Sequence, residues 1–270
     1  MKRYAIYILL FALGLNVVYA TDHLRFPDTR TLGMGGNGVV HSPLLNPSLL
    51  ALLSEMEVRS DYFNRYSLKE LASVGAGFCF PNPMLPAGVH IASFGYDEYR
   101  ESMFRLSAAK RLSKYWTLGV SLQYSLWQSA LFESDISRIS TDIGLTWQPY
   151  QNWLIALTAV NTPSVSVSNE NDDRRYVTPY MYAIGLRWDM RNDLSITAGI
   201  RHTEETPAAC SAGMEYMPFD DFRLRTGFSS SPLQPSLGVG YCFSGLTADL
   251  ALIYHPVLGV SSGIGLSYSF

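Results

Sequence analysis

The sequence predicts an all-β chain folded as a transmembrane antiparallel β-barrel of about 14 strands, an even number as single-chain bacterial barrels require. Three observations carry this. Apolar and small or polar residues alternate with period two through most of residues 54–270, the pattern of a strand with one greasy face. Charged residues make up only 16% of the chain while aromatics reach 13%, which suits a lipid-facing surface. Beyond residue 20 no apolar run approaches the ~20 residues that a spanning helix needs, so a membrane would be crossed by strands.

The stretch Gly259–Phe270 shows the pattern most plainly. Val260, Ile264, Leu266, Tyr268 and Phe270 share one face, interrupted once by Ser262, and Gly259, Ser261, Gly263, Gly265, Ser267 and Ser269 share the other. Left at the edge of an open sheet it would expose a row of unpaired backbone groups. Pairing it with the first strand closes a ring and turns the greasy face outward to lipid.

Taken in order, residues 1–20 read as a secretory signal peptide: Lys2 and Arg3, an apolar run from Tyr4 to Val18, then the small-residue cleavage site Val18-Tyr19-Ala20. No Cys follows that site, so no lipoprotein anchor is expected. Residues 21–53 are rich in Gly and Pro and lack alternation. Within them Gly33-Met34-Gly35-Gly36-Asn37-Gly38 matches G-x-G-x-x-G, but no strand precedes it and no helix follows, as a dinucleotide site requires. Glycines here let backbone pack closely in a confined space.

The barrel occupies residues 54–270. Met56, Val58 and Tyr62 oppose Glu57, Arg59 and Asp61, and the run from Ala72 to Phe80 opposes Ser73, Gly75, Gly77 and Cys79. A run near Val89 and Ile91 is less clean, and Phe104, Leu106 and Ala108 oppose Arg105 and Ser107. The best strand carries Trp116, Leu118, Val120, Leu122, Tyr124 and Leu126 against Thr117, Gly119, Ser121, Gln123 and Ser125. Ten steps of about 3.3 Å at a tilt of about 40° span roughly 25 Å, the height of an outer-membrane apolar band. Ile139 to Trp147, Tyr182 to Trp188, Leu194 to Ile200, Ala212 to Tyr216, Phe222 to Phe228, Leu237 to Phe243 and Leu246 to Tyr254 repeat the pattern. Trp153 to Val160 is apolar on both faces, which leaves its orientation open. Tight connections near Leu112-Ser113-Lys114, Pro149-Tyr150-Gln151, Arg191-Asn192, Pro218-Phe219-Asp220 and Ser244-Gly245 alternate with longer ones, as periplasmic turns and extracellular loops do. Pro81–Pro86 is a longer connection on the short side. Both termini then lie on the periplasmic side, and residues 21–53 can enter the lumen as a plug.

Charges on the polar faces point inward: Arg105, Asp142, Arg187, Arg201, Glu215, Arg223 and Arg225. Unpaired charge in a narrow lumen costs several kcal/mol, so pairing or water is expected, with Glu215 set against Arg223 or Arg225 on the neighbouring strand. The network reads first as a stiffening of the barrel and second as a ligand contact. A net charge of −3 offers no basic stripe for nucleic acid. Cys79, Cys210 and Cys242 are an odd set without metal-ligand spacing. Among the histidines only His202, beside Glu204 and Glu205, falls in a charged cluster, and it reads as a solvated strand end. No catalytic residue, cofactor or metal site is expected; an outer-membrane phospholipase or protease would need a nucleophile or carboxylate pair oriented with a His, and a soluble β-sandwich fits poorly with long strands carrying aromatics at both ends.

Several segments carry a family resemblance. Thr29-Arg30-Thr31-Leu32-Gly33-Met34-Gly35-Gly36, followed by Asn46-Pro47-Ser48-Leu49-Leu50, resembles the amino-terminal signature of PorV/PorQ-type outer-membrane proteins, relatives of the FadL long-chain fatty acid transporters. Gly213-Met214-Glu215-Tyr216 with Leu224-Arg225-Thr226-Gly227-Phe228 is similar to that family's paired strands. Asp249, Tyr254, Leu258-Gly259 and Phe270 resemble its closing hairpin, and Asn161 after an apolar strand also fits. Ser48 stands where Ala is usual, and the loops are trimmed. The resemblance implies a FadL-like fourteen-strand barrel in the outer membrane with an amino-terminal hatch, for which Gly33, Gly35, Gly36, Asn46 and Pro47 are the candidates. It implies a non-enzymatic role in type IX secretion, with secretion-machinery proteins or exported carboxyl-terminal domains as partners beside outer-membrane lipid. The alternative is a FadL-like channel for hydrophobic small molecules. An apolar tunnel through the wall would favour the channel; a lumen crossed by paired charges would favour the secretion role.

Overall fold

The computed structural model describes residues 28–130, 134–167, 179–204 and 208–270; the expected signal peptide, residues 21–27 and Glu205 lie outside them. Strands run β1 (Glu57–Asn64), β2 (Ala72–Phe80), β3 (Ala87–Tyr96), β4 (Tyr99–Arg111), β5 (Trp116–Ser129), β6 (Ile136–Tyr150), β7 (Trp153–Val160), β8 (Ser164–Ser166), β9 (Met181–Arg191) and β10 (Leu194–Thr203), then β11 (Ala209–Phe219), β12 (Phe222–Ser229), β13 (Gln234–Phe243), β14 (Leu246–His255) and β15 (Gly259–Ser269). Fourteen of them form a closed antiparallel ring, and the short β8 pairs onto the far end of β6. β15 completes the ring on β1, with Glu57 opposite Ser269 and Asn64 opposite Ser262. Closure leaves neither β1 nor β15 an open edge, which answers the problem posed by the final stretch.

Burial is inside out relative to a soluble protein. On β15 Ile264 and Leu266 are 51% and 50% exposed while Ser261 and Ser267 are 4% and 8% exposed. On β5 Trp116, Leu118, Val120, Leu122 and Tyr124 are exposed, and Thr117, Ser121, Gln123 and Ser125 are buried. An apolar outer band around a small, polar inner face is the surface that hydrocarbon solvates. At the turn end, Trp116 stacks on Trp147 at 5.6 Å and Trp153 on Trp188 at 5.4 Å, the place where amphipathic rings mark a membrane interface.

Residues 28–53 lie within the ring. They are less irregular than the sequence suggests, with a one-turn helix α1 (Thr29–Leu32) and 3-10 turns at Gly38–Val40 and Pro47–Leu52. Their contacts reach β13, β14 and β15 on one side and β4, β5 and β6 on the other. This segment also resolves the two-faced strand. Leu154 and Ala156 of β7 point inward and pack with Val39, Val40 and Leu49, so both faces of β7 are apolar because one meets the outside and the other meets the enclosed segment. The alternation of connections is looser than expected: on the loop side β3 and β4 are joined by Asp97-Glu98 alone, and β14 and β15 by residues 256–258.

Candidate functional site: the filled lumen

The enclosed segment is capped by its own side chains. Asp28 Oδ1 accepts from the Thr31 amide at 3.0 Å, and Asn46 Oδ1 accepts from the Ser48 amide at 3.1 Å, with Pro47 at the first position of the turn. The wall is made small where this segment touches it. A Cβ at Gly33 would stand 2.9 Å from the Gly238 Cα. Side chains added at Gly119, Gly144 and Gly213 would run into Pro47, Asn46 and Met34 respectively. Gly35 has φ +79°, and a Cβ there would meet the Phe228 carbonyl, so this turn combines a left-handed backbone with close approach. Polar ties complete the seat: the Thr29 amide donates to Asp61 Oδ1 at 2.8 Å and the Gly35 amide to Ser236 Oγ at 2.9 Å. Thr158 Oγ1 donates to the Leu45 carbonyl at 3.1 Å, Ser48 Oγ lies 2.5 Å from Thr146 Oγ1, and Arg105 Nη1 donates to the Leu44 carbonyl.

Charges cross the lumen in three groups. Glu215 and Arg225 stand directly opposite on β11 and β12, and Arg225 Nε donates to Glu215 Oε2 at 2.6 Å while its Nη1 donates to Asp249 Oδ1 at 2.6 Å. Arg30, from the enclosed segment, makes a forked contact with the same Glu215 at 3.0 and 2.6 Å, the geometry that suits guanidinium and carboxylate. Arg59 binds Asp28 at 3.2 Å and Glu57 at 3.0 Å. Burial raises the Asp28 carboxyl, but Arg59 and the Thr31 bonds outweigh it and lower the group to about 2. Arg105 reaches Asp142 at 3.5 Å and Gln123 Oε1 at 2.7 Å. Asp142 also accepts the Asn161 amide at 2.9 Å, where the chain leaves β7 with φ +56°. His41 has both ring nitrogens without a hydrogen-bond partner among the described residues, and burial, with Arg30 and Arg187 nearby, lowers its pKa to about 3.

The two ends of the lumen differ. Toward the loops, Phe63, Ser73, Phe94, Glu101, Trp127 and Ile136 follow one another in register across β1 to β6, all facing inward and buried. Met103 and Ala92 join Phe94 one step below, and the Arg65 guanidinium lies 4.9 Å from the Phe63 ring and 5.6 Å from that of Phe94. Toward the turns, a cavity of about 860 Å³ is bounded by arginines and carboxylates, including Arg30, Arg187, Arg223, Glu215 and Asp249. Outside the ring, two apolar hollows open on the exposed face. One, of about 730 Å³, lies over β11 to β15 around Leu224, Leu237 and Leu252; the other, of about 440 Å³, lies over β6 to β10 around Ala159, Tyr182 and Ile200.

Of the residues singled out in the sequence, the structure brings Glu215 to Arg225 and Arg105 to Asp142. Arg187 stands 3.3 Å from Asp189 on its own strand. Arg223 and Arg201 have no ion-pair partner among the described residues, and Arg201 is exposed near the loop end of β10. Gly33, Gly35, Asn46 and Pro47 touch the wall, while a side chain at Gly36 would meet open space. Sequence reasoning missed Arg30 and Asp28 as partners of wall charges, and it missed the inward apolar row. For the row a signal existed: Trp127 continues the Ser125 face of β5, one residue off the greasy register. His202 lies by the Tyr180 ring and against the smaller outer hollow. Among the described residues no group of three or more His, Cys, Asp or Glu could hold a metal.

The closed fourteen-strand antiparallel barrel matches the fold of FadL-like outer-membrane barrels. The CymD monoaromatic hydrocarbon channel superposes with TM-score 0.69 at 13% identity over 93% of this chain and 99% of its own. The Pseudomonas putida toluene transporter TodX gives 0.67 at 12%, covering 92% and 99%, and a Pseudomonas aeruginosa FadL homologue 0.58 at 12%, covering 90% and 97%. At such identity the likeness is one of fold. No family model and no curated protein matches the sequence.

Proposed function

We propose that the protein is a non-enzymatic outer-membrane barrel that passes hydrophobic small molecules, with residues 21–53 as its plug. The inward row Phe63, Phe94, Met103, Trp127 and Ile136 carries this reading. Holding the plug calls for apolar lumen residues where they meet its own apolar side chains, as Phe63 meets Leu32; Phe94 and Met103 cluster instead with Ala92, Leu71 and Tyr99, and an apolar solute leaving water would be stabilised there. The solved barrels of this shape include channels for monoaromatic hydrocarbons and toluene, which supports the same solute class. In the test, uptake of radiolabelled toluene is followed in outer-membrane-containing cells with and without the protein, and with Phe94→Asp. Faster uptake that Phe94→Asp abolishes is expected; equal uptake in all three would overturn the proposal.

A second reading rests on a different observation. The lumen is crossed by paired charges at Arg30–Glu215–Arg225–Asp249 and Arg105–Asp142, and the segments around Gly33, Asn46 and Glu215 resemble PorV/PorQ-type proteins. On that reading the barrel handles exported proteins in type IX secretion. Pull-down from detergent-solubilised outer membranes separates the two: exported carboxyl-terminal domains or secretion components would come along, where the channel reading expects lipid or apolar solute alone.

A further inference from the structure

We infer that the cavity at the turn end of the lumen is an anion site that takes a carboxylate or phosphate group. Its lining holds Arg30, Arg59, Arg187, Arg191, Arg223 and Arg225 against Glu57, Asp189, Glu215 and Asp249. The chain as a whole carries a net charge of −3, so this concentration of guanidinium is local. Every cation in it is arginine, the side chain whose planar fork matches carboxylate and phosphate oxygens.

Three of the four carboxylates of the lining are already engaged, and the fourth, Asp189, faces Arg187. Glu215 spends both oxygens on Arg30 and Arg225, Asp249 holds Arg225, and Glu57 holds Arg59. Acids behind the lining do not relieve the surplus of donors, because Asp28 is bound to Arg59 and Asp193 to Arg191. Donors remain over. Arg223 has no ion pair among the described residues. Arg187 Nε faces Asp189 at 3.3 Å without a hydrogen bond, and Nη2 of the wholly buried Arg225 has no partner among the described residues. A buried guanidinium nitrogen without an acceptor is costly, and a polar cavity of about 860 Å³ beside it has room for an oxyanion and its water. Arg187 and Arg223, which reach the cavity from β9 and β12, would supply the contacts.

The site does not depend on the transport reading, and its test uses binding alone. The full chain in detergent is titrated calorimetrically with inorganic phosphate, benzoate and benzyl alcohol. Saturable binding of phosphate or benzoate, weakened by added salt, is expected, with none for benzyl alcohol. Arg187→Gln with Arg223→Gln should weaken it by roughly a hundredfold, about tenfold for each charged hydrogen-bond donor lost. Lys110→Gln, on the outer face, should leave it unchanged. Benzoate well ahead of phosphate would assign the site to the head group of an amphipathic acid; equal binding would assign it to a free anion. Benzyl alcohol binding as tightly as benzoate, no saturable anion binding, or an unchanged affinity in the arginine variants would overturn the inference. Arg223→Gln alone, at a half-buried position without an ion pair, serves if the double variant does not fold.

Discussion

Removing the Glu215 carboxylate should destabilise the barrel more than any other single charge deletion in the lumen. Its side chain is 5% exposed and that of Arg225 is 0% exposed, so Glu215→Ala leaves a buried guanidinium with one of its two carboxylates gone. Breaking a buried pair from one side costs about 3–5 kcal/mol. Arg225 keeps Asp249 at 2.6 Å, which places the wall contribution near the lower end, about 3 kcal/mol. Arg30 is 34% exposed, and its share of the loss is at most about 1 kcal/mol because water screens it. The assay is urea unfolding in phospholipid vesicles, read by tryptophan fluorescence, in a double-mutant cycle with Arg225→Met. The double variant Glu215→Ala with Arg225→Met removes both charges and should recover part of the loss, with Asp249 then the unpaired group. A loss below about 1 kcal/mol for Glu215→Ala, the scale of a surface pair, would refute the reasoning.

Three further outcomes are expected. Gly144→Val drives a side chain into Asn46 and should loosen the plug by about 1–3 kcal/mol, seen as faster proteolysis around residues 44–53 in an otherwise protease-resistant barrel. His41 resists the proton when the plug is seated, with a pKa lowered from 6.5 to about 3. Seating is therefore fully stable above about pH 6.5 and weakens as pH falls toward 3, and His41→Leu should flatten that profile in the same proteolysis assay. Leu250, exposed in the middle of β14, should tolerate Arg poorly in vesicles, at about 2–4 kcal/mol by urea unfolding. A loss near zero would mean that this face does not lie in hydrocarbon.

The wall was legible in the sequence because its physics is local. On β5 each outward residue from Trp116 to Tyr124 is greasy and each inward one is small or polar, so register and face follow from parity alone. Parity fails where a second protein surface lies inside the ring. β7 is apolar on both faces because Leu154 and Ala156 meet Val39 and Val40, a contact set by a segment more than a hundred positions earlier. The Glu215–Arg225 contact lies between adjacent strands and is accessible to the same reasoning, since the two residues oppose each other across one hairpin. Arg30 is not, because the path of residues 28–53 has no periodicity from which to place it against β11. The arginine-lined cavity is further out of reach: its members come from the plug and from strands on much of the ring, and only closure brings them together.

The seam of the ring has a consequence for assembly. The amino-terminal segment runs directly into β1, and β1 is the strand that β15 meets, so the contact most distant in the chain is made beside the doorway of the inner segment. Loop-closure entropy favours the neighbouring hairpins first and this pairing last. Backbone bonds between Met56 and Phe270 then fasten the doorway. A segment left outside at that moment would have to enter by one mouth of a finished cylinder, so seating it before the last pair of strands joins is the shorter route.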